Sequence, residues 1–182
     1  MIYNNWKKNK IMAQEDVKTA WGKPHITMGK SGANGAMGGS LEDVGFILED
    51  STTLEQTKGD VKELYGEGHE LVDKMEFEGT WTLKFTLIKT PLAQLAKLYG
   101  LPESADKLAM KTTVVSEPRS YKVDPLLEGA VGVELPYCYT SINPKFATAE
   151  GWTIEVEVTT MTPTDGATAP ATFYKKQASE AA

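Results

Sequence analysis

The sequence contains very little of the chemistry that disulfide scaffolds and metal sites require. Among its 182 residues there is one cysteine, Cys138, and there are two histidines, His25 and His69. A single thiol cannot form an intrachain disulfide, so we expect no disulfide framework and a reducing compartment. Neither histidine has a cysteine or a second histidine at ligand spacing, which argues against a zinc site.

An excess of positive charge and long apolar runs are also missing. The formal net charge is -6, whereas a general binder of nucleic acids or anionic membranes needs a basic surface. No apolar stretch approaches the roughly 20 residues that a membrane-spanning helix requires. The basic residues within positions 1–11 are not followed by an apolar segment, so we predict no secretory signal. The length and the 41% of hydrophobic residues predict a soluble globular domain with a sizeable core.

Three patterns resemble functional motifs, and each has a simpler structural explanation. The run Gly29-Lys30-Ser31 lacks the first glycine of a phosphate-binding loop, because Pro24 stands at that position and further glycines follow where a helix should begin. Cys138 has no histidine near it in sequence, so a structural thiol is the simpler interpretation than a nucleophile. Two carboxylate pairs, Glu76 with Glu78 and Glu155 with Glu157, lie among threonines and lysines, which favours a solvated face over acid–base chemistry. The sequence therefore predicts no enzyme, no cofactor and no metal site.

The clearest pattern is a run of alternating residues over 74–89. Side chains in a β-strand point to opposite faces in turn, so this run predicts one long strand with one apolar and one polar face. The apolar set gives candidate core residues: Phe77, Trp81, Leu83, Phe85 and Leu87. The polar set is Glu76, Glu78, Thr80, Thr82, Lys84 and Thr86. Gly79 is predicted to be a bulge or bend within this strand.

Two further strands are predicted in the C-terminal half. Over 151–161 the candidate core residues Trp152, Ile154 and Val156 alternate with threonine and glutamate. Over 130–142 the alternation is interrupted by Pro136, which cannot donate a ladder hydrogen bond, so this strand should be an edge or contain a bulge. The run Val44 to Leu48 is short and apolar enough for a buried strand.

One helix is predicted between these two β regions. Thr90 suits its N-cap, Pro91 its first turn and Gly100 the position after its end. The predicted fold class is therefore mainly antiparallel β, a barrel or sandwich, with one short flanking helix and long loops or arms. We predict a flexible N-terminal arm and glycine-rich loop over 1–40, a β-domain over 41–162 and a loose C-terminal tail over 163–182.

The glycine-rich part of the arm, 29–40, has few side chains to offset the backbone entropy lost on ordering, roughly 1–2 kcal/mol per residue. We therefore predict that it is mobile in a free subunit and fixed by neighbouring subunits. The candidate inter-subunit residues are Lys30, Gly32, Gly35, Met37 and Gly38.

The order of these elements resembles that of the major tail tube proteins of long-tailed phages, and through them the tubes of type VI secretion and other contractile injection systems. Asp43-Val44-Gly45 leads into an apolar strand, followed by a polar strand, a glycine turn and the long threonine-rich strand. The run Thr90-Pro91-Leu92-Ala93-Gln94-Leu95-Ala96-Lys97-Leu98-Tyr99-Gly100 closes the block. The resemblance covers roughly residues 40–162.

The resemblance implies a structural virion protein that is assembled in the host cytoplasm and located in the tail. Subunits would form stacked, hexameric rings whose inner strands line a continuous channel. The implied partners are copies of the chain itself, an initiator, a terminator, a sheath if the tail is contractile, and DNA that passes through without specific binding. In such a ring the polar set over 76–86 would face the lumen, and an acidic lining would repel DNA and let it slide.

Two alternatives remain open from the sequence. The first is a monomeric or dimeric β-barrel module whose apolar faces enclose a small ligand. The second is a different virion part, such as a head–tail connector or a capsid-decorating protein. Particle mass separates the first alternative from a tube subunit, because a tube subunit assembles and a monomer keeps the 19.9 kDa mass of the chain.

Overall fold

The computed structural model describes residues 22–102, 107–108, 117–148 and 151–177, and these form a mainly antiparallel β structure with one short helix. This confirms the predicted fold class. The N-terminal strands are β1 (His25–Lys30), β2 (Glu42–Asp43), β3 (Thr53–Thr57), β4 (Val61–Tyr65), β5 (Leu71–Glu76) and β6 (Thr80–Ile88). Helix α1 (Leu92–Tyr99) comes next, followed by β7 (Arg119–Asp124), β8 (Val131–Ala147), β9 (Gly151–Thr160) and β10 (Thr172–Lys175).

Eight of the strands form one sheet in the order β2-β1-β7-β8-β9-β6-β3, with β10 paired to β8. The sheet curls around its own apolar face. Phe85 on β6 and Tyr121 on β7 are three strands apart, which is roughly 14 Å in a flat sheet, yet their ring centroids are 6.4 Å apart. The strands therefore bring apolar residues from both ends of the sheet into one core.

The core contains most of the residues that the alternating patterns predict. Leu83, Phe85 and Leu87 of β6 are buried, as are Ile154 and Val156 of β9. Cys138 lies in the same core, and burial raises the pKa of its thiol to about 12. The thiol is therefore protonated at neutral pH, which favours the structural interpretation of this residue over a nucleophile.

Helix α1 covers one part of this core through Leu95, Ala96 and Leu98. It ends as predicted at Gly100, whose φ of 67° lies in the left-handed region. The N–H of Gly100 bonds to the carbonyl of Lys97, and the N–H of Leu101 bonds to that of Ala96. The start differs from the prediction, because the N-cap position is Pro91 and no side chain caps the helix.

The prediction of one long strand over 74–89 is wrong. The chain leaves the eight-stranded sheet here, and β4 and β5 form a separate two-stranded sheet. At the base of this two-stranded sheet the two chain segments cross closely, and two glycines permit this. A Cβ on Gly59 would lie 1.7 Å from the Phe77 carbonyl oxygen, and a Cβ on Gly79 would lie 2.1 Å from the Thr57 carbonyl oxygen. Phe77 is consequently not a core residue, and 43% of it is exposed.

Two tryptophans also differ from their predicted burial. Trp152 points to the same side as Ile154 but lies near the start of β9, beyond the pairing with β6, which begins at Thr153. It is 46% exposed, so its assignment to the core is wrong. Trp81 is half-buried at the margin of the core, where it packs against Phe173.

The strand that contains Pro136 is predicted to be an edge or to contain a bulge, and it contains a bulge. The pairing of β7 with β8 shifts register between Arg119 and Tyr121, opposite Pro136. The Ser120 hydroxyl donates to the Pro136 carbonyl at 2.6 Å. The strand is not an edge, because it pairs with β7 on one side and with β9 and β10 on the other. The bulge also changes which residues face the core. Odd-numbered Leu135 is buried before the bulge, and even-numbered Cys138 is buried after it.

The glycine-rich segment packs against its own chain, whereas its predicted contacts are with neighbouring subunits; the predicted mobility of residues 29–40 stays a prediction. Gly29 and Lys30 belong to β1. Cβ atoms on Gly29 and Gly38 would lie 2.2 Å from the Ser40 oxygen and 2.3 Å from the Lys30 oxygen. Gly35 is buried against Pro163, and Gly32 donates to the carbonyl of Ala36. These glycines permit close backbone packing. Residues 1–21 of the predicted arm lie outside the described residues.

The segment after residue 162 is also held, contrary to the prediction of a loose tail. Strand β10 pairs with β8 through Thr172 to Lys175. The Tyr174 hydroxyl donates to the Asp124 carboxylate, and its ring fills the space above Gly132. Residues 178–182 lie outside the described residues. The predicted strand over 44–48 is reduced to a single bridge between Ile47 and Leu87, with Val44 and Ile47 buried.

Candidate functional site

The outward side of the sheet carries a broad polar surface, which we call the polar face. Cross-strand partners lie on the same side of a sheet, and the pairing joins Thr82 to Thr159, Lys84 to Glu157 and Thr86 to Glu155. The pairings with β3 and β8 extend this surface over four strands. It consists of Thr53, Glu55, Thr57, Thr80, Thr82, Lys84, Thr86, Tyr139, Ser141, Asn143, Lys145, Glu155, Glu157 and Thr159.

Four of the six residues predicted to face a lumen lie together on the polar face: Thr80, Thr82, Lys84 and Thr86. Glu76 and Glu78 do not, because Glu76 ends β5 and Glu78 lies in the connection to β6. The expectation of a distinctly acidic surface changes accordingly. The polar face has three glutamates and two lysines, and hydroxyl groups make up most of the rest.

The charges of the polar face are largely paired across strands. Lys84 Nζ lies 3.7 Å from Glu157 Oε2, and Lys145 Nζ lies 2.5 Å from Glu155 Oε1. The hydrogen bond from Lys145 lowers the pKa of Glu155. Glu55 is then the only carboxylate of the polar face without an ion pair to another described residue. The surface is hydrophilic and close to electrically balanced.

The second surface is the hairpin formed by β4 and β5, which we call the acidic hairpin and define as residues 58–78. It contains seven carboxylates and three lysines, which leaves four net negative charges. All of its strand residues are exposed. A two-stranded hairpin alone is at best marginally stable in water, so its exposed side chains make it a candidate contact surface.

Apolar side chains occur on both sides of the acidic hairpin. The register pairs Lys62 with Met75 and Leu64 with Asp73, which places Leu64 and Met75 on one side. These two are 62% and 58% exposed, and Lys62 on the same side lies over the ring of Phe77. The other side carries Val61, Tyr65 and Val72. Single exposed apolar residues are ordinary, but clusters of this kind mark interaction sites.

A third surface lies at the far end of the long β8–β9 pair. Phe146 and Trp152 are directly opposite each other across the two strands. Both are exposed, Phe146 to 73%. Because aromatic side chains are enriched at protein interfaces, this aromatic pair is a second candidate contact surface.

A cavity of about 430 Å³ lies between the start of β1 and the segment before β3. Its lining combines apolar groups of Pro24, Ile47 and Leu48 with charged Lys23 and Glu49. This cavity is the feature most relevant to a ligand-binding function.

Within the described ranges, no cluster of three or more histidine, cysteine or acidic side chains is placed to hold a metal ion. No helix in those ranges is long and apolar enough to cross a membrane. The sequence matches no protein-family model and no curated protein at a significant level. The three surfaces are therefore the features of the chain that bear on its function.

The glycine-bearing run Gly66-Glu67-Gly68 predicts a hairpin between strands over 61–65 and 69–73, and β4 and β5 confirm it. What the sequence does not separate is the acidic hairpin from β6. Its alternating residues continue the parity of β6 without interruption, so periodicity alone merges the two. The signal that marks its base is the pair of glycines, Gly59 and Gly79, placed one on each side of the hairpin. Trp152 was missed as a surface residue because parity predicts the side of a sheet but not how far the core extends along a strand.

Proposed function

We propose that this chain is a self-assembling structural subunit of a tube, of the kind that the major tail tube proteins of long-tailed phages form. The observation that supports this best is the acidic hairpin. It presents apolar side chains on both sides, and its strand residues are exposed in the single chain. A surface of this kind is stabilised when other copies of the chain cover it.

Coverage of both sides favours an assembly larger than a dimer. A two-fold dimer uses one self-complementary patch, whereas a head-to-tail contact joins two different patches and generates rings or filaments. The acidic hairpin and the aromatic pair of Phe146 and Trp152 are separate patches of this kind. Each subunit then both donates and receives a contact, as in stacked rings.

The polar face suits the lining of a channel through which DNA passes. Binding of DNA depends on lysines and arginines that neutralise phosphates, and the two lysines of the polar face are paired with glutamates. Threonine hydroxyls keep the surface wet without adding positive charge. In this proposal DNA slides past the polar face, the chain is a virion tail component assembled in the host cytoplasm, and its other partners are tail initiator, terminator and sheath proteins.

Electron microscopy of the purified full-length chain, combined with sedimentation, tests the proposal. We expect rings or tubes above a threshold concentration. The double substitution Leu64→Asp with Met75→Asp should abolish them, because it places charge on one side of the acidic hairpin. Leu126→Asp is the matched control, since Leu126 is equally exposed at 65% but lies outside the hairpin. A wild-type chain that stays at 19.9 kDa, even with tail initiator proteins, would overturn the proposal.

The cavity beside Ile47 and Leu48 favours a second candidate, a monomeric ligand-binding module. Ligand pockets are typically concave, mostly apolar and about 300–1,000 Å³, and this cavity of about 430 Å³ has a mixed lining. Leu48→Arg separates the two functions. It should eliminate binding in a ligand-binding module and leave tube assembly unchanged in a tube subunit.

A further inference from the structure

A small cavity near the end of helix α1 carries an unusual concentration of positive charge. It has a volume of about 230 Å³, and among the described residues its lining includes Lys30, Lys97 and Arg119, with Glu42 as the one carboxylate. We call it the cationic cavity. Lys97 pairs with Glu42 at 2.5 Å, and Lys30 pairs with Glu117 at 3.0 Å.

Arg119 differs from the two lysines. It is half-buried, and its guanidinium makes no hydrogen bond or ion pair with another residue of the described ranges. Its Nη2 atom lies 3.3 Å from the position that a Cβ on Gly100 would occupy, so the guanidinium sits at the C-terminal end of α1. The negative end of the helix dipole accounts for a cation at this place, but among the described residues it provides no hydrogen-bond acceptor for the five N–H donors of the guanidinium.

The acceptor that suits this group is a carboxylate. Arginine binds carboxylates in a planar, bidentate geometry that lysine does not reproduce. The charge-assisted bond would also compensate for the partial removal of the guanidinium from water. The cationic cavity is therefore suited to an acidic side chain from outside the described fold.

The acidic hairpin supplies such side chains. Its turn carries Glu67 and Glu70, both exposed, and no lysine lies between Lys62 and Lys74. From the crossing at Gly59 to Glu67 the chain spans eight residues, which is about 25 Å in a strand. The hairpin is thus long enough for its acidic tip to stand well away from the sheet of its own subunit and reach another.

We propose that the tip of the acidic hairpin of one copy docks into the cationic cavity of a second copy, with Glu67 or Glu70 bound to Arg119. This inference rests on the proposed self-assembly and names the surface that receives the hairpin. The contact is head to tail, because the donor and the receptor are different parts of the same chain. The charges of the hairpin tip and of the cationic cavity are complementary. Such complementarity fixes the register of the two copies and speeds their association more than it raises affinity.

Charge reversal on both sides tests this contact. Arg119→Glu should raise the concentration needed for assembly at least tenfold, and Glu67→Lys with Glu70→Lys should do the same. The triple variant should recover most of the loss. Lys107→Glu is the charge-matched control for Arg119→Glu, and Glu49→Lys is a single charge reversal outside the hairpin. Thermal melts confirm that each variant is folded. Normal assembly of the Arg119→Glu variant would overturn the docking site.

Carbodiimide cross-linking of an assembled mixture of ¹⁴N- and ¹⁵N-labelled chains gives a readout that does not depend on substitutions. We expect mixed-isotope links from Glu67 or Glu70 to Lys30 or Lys97. Links from the hairpin to other lysines only would overturn the docking site while leaving self-assembly intact. Failure of the wild-type chain to assemble would instead contradict the proposed function itself, so the two failures are distinguishable.

Discussion

The rings of Trp81 and Phe173 meet edge to face, with centroids 5.1 Å apart and an angle of 66° between their planes. Trp81 is the second residue of β6, and Phe173 belongs to β10, which pairs with β8. The contact therefore joins the C-terminal strand to a part of the sheet with which it shares no ladder hydrogen bonds. It also explains how a half-buried tryptophan at the margin of the core obtains a packing partner.

This contact predicts that Phe173→Ala lowers the free energy of unfolding by about 1–2 kcal/mol, through lost area and lost edge-to-face geometry. Phe146→Ala is the matched control. Because Phe146 is more exposed, its truncation should change stability by no more than about 0.5 kcal/mol. Urea unfolding followed by tryptophan fluorescence measures both. Equal effects of the two substitutions would contradict the packing role of Phe173.

The glycine-rich segment gives a prediction with an internal control. Gly38→Ala should destabilise the chain by about 2 kcal/mol or more, because the added Cβ meets the Lys30 carbonyl oxygen at 2.3 Å. The neighbouring Gly39→Ala should be neutral or slightly stabilising, since a Cβ there has no atom within 4 Å. Thermal melts of the two variants decide between close packing and flexibility. Equal melting temperatures would favour the mobile-loop interpretation.

The two faces of β6 should differ in mutational sensitivity. Phe85→Ala removes a fully buried ring and should cost about 3–5 kcal/mol. Lys84→Ala removes an exposed ion pair with Glu157 and should cost no more than about 1 kcal/mol. Chemical denaturation of both variants measures the difference. A larger loss at Lys84 than at Phe85 would reverse the assignment of the faces.

Burial of Cys138 predicts a pH effect of defined sign. The pKa of the thiol is raised to about 12 in the folded chain, against about 8.5 when unfolded. Folding therefore gains stability from the protonated thiol below about pH 8.5, and this contribution is lost as the pH rises toward 12. At pH 8 the native thiol should not react with Ellman's reagent, whereas the denatured chain should react at once. Rapid labelling of the native chain would contradict its burial.

The charge balance of the polar face predicts how an assembled tube treats DNA. Wild-type assemblies should not retain DNA at low salt. Thr82→Lys with Thr86→Lys adds two cations beside Lys84, and assemblies of this variant should retain DNA in a way that falls steeply with salt. Filter binding over a salt series measures this. Retention by the wild type, or none by the variant, would contradict the idea that the polar face lines the channel.

Several parts of this fold could be predicted from local sequence. Alternation in β6 and β9 identifies the buried Phe85 and Ile154, Gly100 marks the end of the helix, and Pro136 marks a bulge. These features depend on backbone conformation and on the side of a strand, which neighbouring residues specify.

What could not be predicted depends on contacts between distant parts of the chain. Phe77 has the same parity as Trp81, yet the chain leaves the sheet between them. Gly29 and Gly38 permit close backbone packing, but the glycine-rich composition of residues 29–40 is the same as that of a flexible linker. Arg119 and Lys97 are 22 positions apart in sequence, and only the fold brings them to one cavity.

The crossing at Gly59 and Gly79 makes the hairpin a separable part. Both chain segments leave and re-enter the sheet at one point, and the strands between these glycines belong to a sheet of their own. Hairpin length and sequence can therefore change while β3 and β6 keep their pairing. A lineage of such proteins could alter which partner it assembles with by exchanging about twenty residues, and the eight-stranded sheet would not need to adapt.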